Sequence, residues 1–165
     1  SGWTVLGTDT SWPMLEAAAG RVREERLERR LLLAAAPMDH LPVGDRSVDF
    51  VVAHGIWNLA RSSAEFRAAV VEAARAARPG AALFLFTFSR HTLPPDAAPV
   101  AGEPFVFTQF SGEPQCFLTG AQIADEMAAA GFSPDPDLPL RELNRPAGLR
   151  AASGPVLYEG AFRRL

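Results

Sequence analysis

The chain has one cysteine, no lysine and no long apolar run. A single thiol, Cys116, excludes an internal disulfide and a cysteine-based zinc cluster, and we expect it to be a small core or loop residue. A membrane-spanning helix needs roughly 18 or more consecutive apolar residues, and no segment approaches that length. The first residues also lack the pattern of a signal peptide. These absences predict a cytoplasmic protein without a membrane partner.

The balance of charge is mildly acidic, with a formal net charge of -3 over 165 residues. Nothing in that balance favours the phosphate backbone of a nucleic acid as a partner. All 16 residues in the lysine-plus-arginine count are arginine, which together with many alanines indicates the coding bias of a GC-rich genome. The hydrophobic fraction of 48% is ordinary for a globular protein, and the length predicts a single domain over residues 1–165.

The segment Trp3–Asp9 combines strand-forming residues with a terminal carboxylate. A helix signal follows at once, because Ser11 is a candidate cap, Pro13 suits the first turn and an apolar periodicity begins at Met14. A buried strand that ends in an acid and turns directly into a helix is typical of open α/β sheets, where ligands bind outside the carboxyl ends of the strands. Asp9 is therefore either an acceptor for two ribose hydroxyls or only a cap for the next helix.

Apolar runs and helical periodicities alternate along the rest of the chain. The predicted helices cover residues 12–30, 62–77 and 119–130, and the predicted strands cover residues 31–36, 48–53, 81–88, 138–143 and 155–162. Because the early strands are too apolar to have a solvated face, we expect a mainly parallel sheet buried between helical layers. The last two strands have only a loop, Asn144–Gly154, between them, which predicts an antiparallel hairpin at one edge.

The stretch from Met38 to Leu59 resembles the class I S-adenosylmethionine-dependent methyltransferases. That family commonly carries a loop ending in Asp-x-Leu-Pro, a short turn, and then Asp with an apolar strand, which here are Asp39–Pro42, Gly44–Ser47 and Asp49–Val52. Three more segments are similar to the family and occur in its order: Gly7–Leu15, Arg78–Gly80 and Ala130–Phe132. The resemblance implies a Rossmann-like three-layer α/β sandwich, with a mostly parallel sheet and an antiparallel C-terminal hairpin. It also implies S-adenosylmethionine as the cofactor.

The resemblance assigns one group of residues to that cofactor. The expected cofactor-binding residues are Asp9, Thr10, Ser11, Met14, Met38, Asp39, His54, Gly55 and Ile56. Asp9 corresponds to the family's ribose-binding acid. Pro37 stands where the family often has Asp, so Asp39 becomes the expected acceptor for the adenine amino group, with the Met38 N–H facing the ring. Alternatively, Asp39 only forms the turn ahead of Leu41. No metal site is expected.

The candidate residues for binding and activating the methyl acceptor follow the fourth and fifth strands of the family pattern. Methyl transfer from a sulfonium depends mainly on alignment, with proton removal only where the acceptor requires it. His54 and His91 are the candidate catalytic bases, or else ordinary polar loop residues. Arg90, Phe105 and Phe107 are the expected substrate-binding residues. They lie in a segment too long for a passive connection, which either closes over a small acceptor or forms a hairpin packed on the sheet.

The N-terminal segment of the chain differs from the family pattern. A glycine-rich loop should precede Asp9 by roughly 20 residues, by analogy with the dinucleotide fingerprint, but only eight residues precede it. We therefore expect an N-terminally incomplete domain that lacks the first strand, with a gap in the sheet and a tendency to form homo-oligomers. The predicted function is methyl transfer to a small-molecule acceptor. The alternatives are a non-catalytic module that has lost the cofactor and, less favoured, a nicotinamide-dependent oxidoreductase.

Overall fold

The computed structural model describes residues 2–145 and 154–165. In chain order the elements are β1 (Val5–Asp9), α1 (Trp12–Glu24), β2 (Leu31–Ala35), β3 (Val48–His54), α2 (Ser63–Ala76), β4 (Ala77–Phe88), β5 (Val106–Phe107), β6 (Gln115–Cys116), α3 (Gly120–Ala129), β7 (Phe132–Pro134), β8 (Arg141–Leu143) and β9 (Leu157–Arg164). Single 3-10 turns, Trp57–Leu59 and Arg90–Thr92, follow β3 and β4. Within the described ranges, no helix combines the length and the apolar character that crossing a membrane would require.

The strands form two separate sheets and one short hairpin. β1 and β2 pair in parallel, with Asp9 opposite Ala35. The larger sheet has the order β3-β4-β9-β7, and β8 also pairs with β9. β3 is parallel to β4, while β9 is antiparallel to β4, β7 and β8, so β9 alone is reversed in this sheet. The predicted α/β class and the antiparallel pairing of the last two strands are confirmed. The connecting loop Asn144–Gly154 lies largely outside the described residues.

The main core lies between the larger sheet and the helices α2 and α3. Leu83 and Leu85 of β4, Phe66 of α2 and Ile123 of α3 are almost completely buried and belong to one contiguous apolar cluster. Fully burying a side chain of this kind stabilises a fold by about 1.5–3 kcal/mol. This packing fixes the direction of β4, and therefore the position of the polar residues that follow its carboxyl end.

The prediction that the early strands are buried on both faces is wrong. Phe50 and Val52 of β3 are 43% and 57% exposed, and Val5 and Leu6 of β1 are 47% and 37% exposed. The cause is topological, because β1 pairs only with β2, and β3 only with β4, in the described part of the chain. The expected gap in the sheet therefore lies between β1 and β3. Across it, the rings of Trp3 and Phe50 approach to 6.1 Å between centroids.

Two predicted element boundaries are corrected by the structure. α1 ends at Glu24 rather than near residue 30, because Arg26 adopts a positive φ of 56°. The Leu27 N–H then donates to the Val22 carbonyl at 2.9 Å, so Leu27 belongs to the turn into β2 and not to a helical face. α2 ends at Ala76, before the predicted Pro-Gly stop, and β4 begins at once.

The predicted start and stop of α3 are confirmed. The Thr119 hydroxyl accepts a hydrogen bond from the Gln122 N–H at 3.2 Å, and the Gln122 side chain accepts one from the Thr119 N–H at 2.9 Å. This reciprocal capping box satisfies two backbone donors that the first helical turn would otherwise leave unpaired. Gly131, with a φ of 82°, ends the helix in a conformation that favours glycine.

We expect the isolated 165-residue chain to self-associate, because the facing edges of β1 and β3 and the apolar side chains beside them lack partners in the described chain. Sedimentation velocity over a range of concentrations measures this. Val52→Lys should reduce the association, whereas Val71→Lys should not. Val71 lies on α2 and is a matched control, because it is 59% exposed and Val52 is 57% exposed. A monomer that unfolds cooperatively at high temperature would contradict the prediction.

Candidate functional site

Asp9 lies at the carboxyl end of β1, where the chain turns into α1. Its Oδ1 accepts a hydrogen bond from the Ser11 N–H at 2.8 Å. Ser11 is the N-cap residue of α1 and makes no side-chain capping bond of its own. The other carboxylate oxygen of Asp9 has no partner among the described residues. Asp9 therefore shapes the turn with one oxygen and keeps the second oxygen available for a ligand.

The predicted adenine segment lies beside Asp9. The Ala36 N–H donates to the Asp9 carbonyl at 3.1 Å, which ties the end of β2 to the end of β1. Met38 is half-buried and packs against the main core, whereas Asp39 is exposed. A turn closed by the His40 N–H and the Pro37 carbonyl, 3.2 Å apart, holds Asp39 at the surface. The structure thus ties the end of β2, which Asp39 follows by four residues, to the end of β1, while the Met14 and Thr10 side chains are exposed.

An ion pair on α2, which the sequence does not predict, holds the loop after Asp39 against that helix. Glu72 Oε1 accepts from the Leu41 N–H at 2.7 Å, and Arg75 donates to Glu72 at 2.7 Å and to the Val43 carbonyl at 2.9 Å. Hydrogen bonds from Arg75 lower the pKa of Glu72 and outweigh its burial, which acts in the opposite direction. The sequence signal for this contact is one acidic residue, Glu72, among the buried alanines of α2.

His54 ends β3, and Gly55 and Ile56 follow it. The His54 ring stacks on Phe86, with 4.3 Å between centroids and 4° between the planes. Gly55 adopts a φ of 65°, and its N–H donates to the Phe86 carbonyl at 2.8 Å. This left-handed turn favours glycine and leads the chain out of the strand. Ile56 is 40% exposed. The end of β3 is therefore fixed against the neighbouring strand β4.

His91 follows β4 and belongs to a polar cluster with Ser89, Glu142 and Tyr158, which we call the His91 cluster. The His91 Nδ1 lies 2.6 Å from Glu142 Oε1, and the Ser89 hydroxyl donates to the same oxygen at 2.5 Å. Burial would raise the pKa of Glu142, but hydrogen bonds from Ser89, His91 and Tyr158 together lower it. The sequence indicated His91 but not Glu142, because the strand that carries the acid is distant along the chain.

The three residues expected on the substrate side lie mostly inside the fold. Phe105 and Phe107 are 1% and 3% exposed, and Phe105 packs edge-on against Phe66 with 5.4 Å between centroids. The Arg90 guanidinium lies 4.8 Å from the Phe107 ring centroid and donates to the Ala97 carbonyl at 2.8 Å. The segment forms the hairpin β5–β6, which was one of its two predicted structures. Contact of these residues with a methyl acceptor stays a prediction, and the burial of the two phenylalanines argues against it.

These residues fit the adenosine half of S-adenosylmethionine. A ribose offers hydroxyl donors to the free oxygen of Asp9, and the adenine amino group is a donor that the exposed Asp39 carboxylate can accept. On the methionine side, the Gly55 N–H is already bonded to Phe86. The fit therefore rests on Asp9 at the end of β1 and on Asp39 in the loop after β2. Acids that follow adjoining parallel strands are typical of α/β proteins that bind nucleosides.

A family model described as "Methyltransferase domain" matches residues 1–85, which is more than half of the chain and includes Asp9, Asp39 and His54. The chain therefore belongs to this family of class I S-adenosylmethionine-dependent methyltransferases. The resemblance seen in the sequence is confirmed. A search of curated proteins finds no match to the chain.

Solved structures share the fold at low sequence identity. An S-adenosylmethionine-dependent methyltransferase from Methanosarcina mazei is 18% identical with a TM-score of 0.72, over 99% of this chain and 83% of that protein. The 1,6-didemethyltoxoflavin-N1-methyltransferase of Burkholderia thailandensis is 16% identical with a TM-score of 0.71, over 98% of this chain and 61% of that protein. The (4+2)-cyclase SpnF is 17% identical with a TM-score of 0.73, over 99% of this chain and 68% of that protein. These likenesses confirm the fold class.

We expect the free energy of unfolding to fall in acid, because hydrogen bonds lower the pKa values of Glu72 and Glu142 in the folded chain. A carboxyl with a lowered folded pKa stabilises the protein above its unfolded pKa, and this stability is lost as the pH falls through the folded value. Denaturant titrations from neutral pH to about pH 3 measure the effect. Glu72→Gln and Glu142→Gln should each flatten the dependence, and Glu28→Gln, at an exposed position, should not. An unchanged slope in both test variants would refute the prediction.

Proposed function

We propose that the protein is an S-adenosylmethionine-dependent methyltransferase that acts on a small-molecule acceptor. The observation that carries the proposal is the free carboxylate oxygen of Asp9 beside the segment of Met38 and Asp39, in a chain that belongs to the methyltransferase domain family. An acid at the end of β1 and a second acid in the loop after β2 suit a ligand with ribose and adenine donors.

Each residue has a defined part in this proposal. Asp9 accepts hydrogen bonds from the ribose hydroxyls, Asp39 accepts one from the adenine amino group, and Met38 lies along the adenine ring. His54 borders the methionine part from the end of β3. When bound, the cofactor supplies an electrophilic methyl group carried on a sulfonium. The protein holds the acceptor in line with that methyl group and excludes water, and such alignment supplies much of the rate enhancement in displacements of this kind.

A small organic acceptor is supported by a structural neighbour and by the charge of the chain. The Burkholderia thailandensis enzyme was crystallised with 1,6-didemethyltoxoflavin and S-adenosylhomocysteine. The net charge of -3 gives no electrostatic reason for binding a nucleic acid. A fold of this kind hosts different chemistries, as the cyclase among the neighbours illustrates, so the cofactor has to be tested directly.

Calorimetric titration with S-adenosylhomocysteine tests the proposal. We expect saturable binding, and no binding of a nicotinamide dinucleotide used as the control. A folded protein that binds neither ligand would be the non-catalytic module that has lost its cofactor. Binding of the dinucleotide without S-adenosylhomocysteine would instead identify an oxidoreductase.

A further inference from the structure

The His91 cluster combines a buried carboxylate with one ring that reaches solvent. Ser89 is fully buried, Tyr158 is 8% exposed, and the Glu142 side chain is 13% exposed. The His91 side chain, in contrast, is 42% exposed. The cluster is assembled from three elements, since Ser89 and His91 follow β4, Glu142 is on β8 and Tyr158 is on β9. Among the four residues of the cluster, His91 is therefore the one most open to a ligand.

The hydrogen bond to Glu142 fixes which nitrogen of His91 carries the proton. An ionised carboxylate can only accept hydrogen bonds, so the contact of 2.6 Å requires a proton on His91 Nδ1. In the neutral imidazole, Nε2 is then the basic nitrogen. The lowered pKa of Glu142 is consistent with an ionised carboxylate at neutral pH.

Other contacts hold the carboxylate itself in place. Ser89 donates to Oε1 at 2.5 Å, Arg145 donates to Oε2 at 3.1 Å, and the Tyr158 hydroxyl helps to lower the pKa of Glu142. The Tyr158 hydroxyl accepts from the Gly120 N–H at 3.0 Å, which connects the cluster to the start of α3. Glu142 therefore cannot turn away without breaking several bonds, and the imidazole has a rigid support.

The cluster follows the edge of the sheet at which ligands of open α/β proteins bind. His54 is opposite Phe86 in the parallel pair of β3 and β4, so the carboxyl ends of the two strands adjoin. His91 comes three residues after the last residue of β4, Phe88, and its side chain is 42% exposed. A solvent-facing base therefore follows the carboxyl edge that β3 and β4 share, and ligands of such sheets bind outside that edge.

We propose that Glu142 is a positioning residue that presents His91 Nε2 as the base for a hydroxyl group of the acceptor, so that the enzyme is an O-methyltransferase. This inference rests on the proposed function. The hydroxyl oxygen forms a bond to the methyl carbon while the carbon–sulfur bond breaks, and the electron pair of that bond stays on sulfur. The hydroxyl proton moves to His91 Nε2, and His91 later releases it to water. An amine acceptor could attack with a neutral lone pair, and so would not require this base.

The tautomer of His91 gives a test that does not depend on activity. Nitrogen-15 spectra of the protein labelled in its histidine rings should show a proton on Nδ1 of His91 at a pH where the ring is neutral, with the signal assigned by its loss in His91→Gln. Glu142→Gln should remove this preference, Glu142→Asp should restore it in part, and Glu113→Gln, in the exposed loop before β6, should leave it unchanged. A proton on Nε2 in the unmodified protein would overturn the proposal.

Methylation of two simple phenols tests the chemical role. With unsubstituted phenol, which keeps its proton at neutral pH, His91→Gln and Glu142→Gln should each lower kcat by about 100-fold or more, as expected for loss of a general base. With a nitrophenol, which ionises without help, the loss should be small.

The remaining outcomes separate this inference from the proposed function. Equal losses on both phenols would make the cluster merely structural and overturn the inference. Failure to methylate either phenol, in a protein that still binds S-adenosylhomocysteine, would overturn the hydroxyl acceptor and leave the proposed function standing. Failure to bind S-adenosylhomocysteine would overturn both.

Discussion

Replacing Asp9 by alanine should weaken the binding of S-adenosylmethionine by at least about tenfold. Each hydrogen bond to a charged acceptor contributes about 1.5–3 kcal/mol, and 1.4 kcal/mol corresponds to a factor of ten in affinity. The structure leaves one Asp9 oxygen without a partner among the described residues, and a carboxylate oxygen has two lone pairs, so the side chain can serve both ribose hydroxyls. Calorimetric titration of the variant against the methyl donor measures the loss.

Asp9→Asn is the variant that separates ligand binding from a purely structural role of Asp9 in the turn before α1. Asparagine keeps an oxygen for the Ser11 N–H and forms the same kind of turn as aspartate, so a purely structural Asp9 predicts unchanged stability and unchanged affinity. A ribose-binding Asp9 predicts unchanged stability with an affinity between those of wild type and Asp9→Ala. Asp39→Ala should cost less, because in the proposed site a backbone N–H and stacking also hold adenine. Equal affinity of wild type and Asp9→Ala would remove Asp9 from the site.

The helix start that the structure confirms at Thr119 depends on a local pattern, because the Thr119 hydroxyl accepts from the backbone N–H of Gln122, three residues on. Such patterns are visible in the sequence because the partners are neighbours. The bond between His91 and Glu142 spans 51 residues, and that between Leu41 and Glu72 spans 31. No periodicity indicates which distant acid the fold will bring to a given histidine or backbone N–H.

Burial was harder to predict than the elements themselves. The run around Phe50 and Val52 has the apolar character of a strand buried on both faces, yet these side chains are about half exposed. An apolar run shows what a strand can bury, but the neighbouring elements decide what it does bury. The alternating rings of Phe105 and Phe107 posed the opposite problem, because the same pattern suits an open binding loop and a packed hairpin. Only the pairing of β5 with β6 distinguishes the two.

Glu72→Gln should lower the free energy of unfolding by about 1.5–3 kcal/mol, the usual contribution of a hydrogen bond to a charged group. Glu72 is 9% exposed, accepts from the Leu41 N–H and is held by Arg75. The amide keeps one oxygen for the Leu41 N–H, but its nitrogen cannot accept from Arg75 Nε as Glu72 Oε2 does at 2.8 Å, and the charge of the pair is lost. The attachment to α2 of the chain between β2 and β3 is therefore weakened. Urea denaturation followed by circular dichroism measures the change in stability.

The same substitution should weaken the binding of S-adenosylhomocysteine several-fold, although Glu72 is not expected to touch the ligand. Met38 and Asp39 precede Leu41 in one short segment, so loosening Leu41 frees the residues proposed to hold adenine. Asp45→Asn is the matched control, because Asp45 also pairs with Arg75, at 2.6 Å, but its side chain is 76% exposed. Exposed ion pairs contribute little, so this control should change neither stability nor affinity appreciably. If Glu72→Gln lowered stability without any loss of affinity, the attachment to α2 would support the fold alone, and the position of Asp39 would not depend on it.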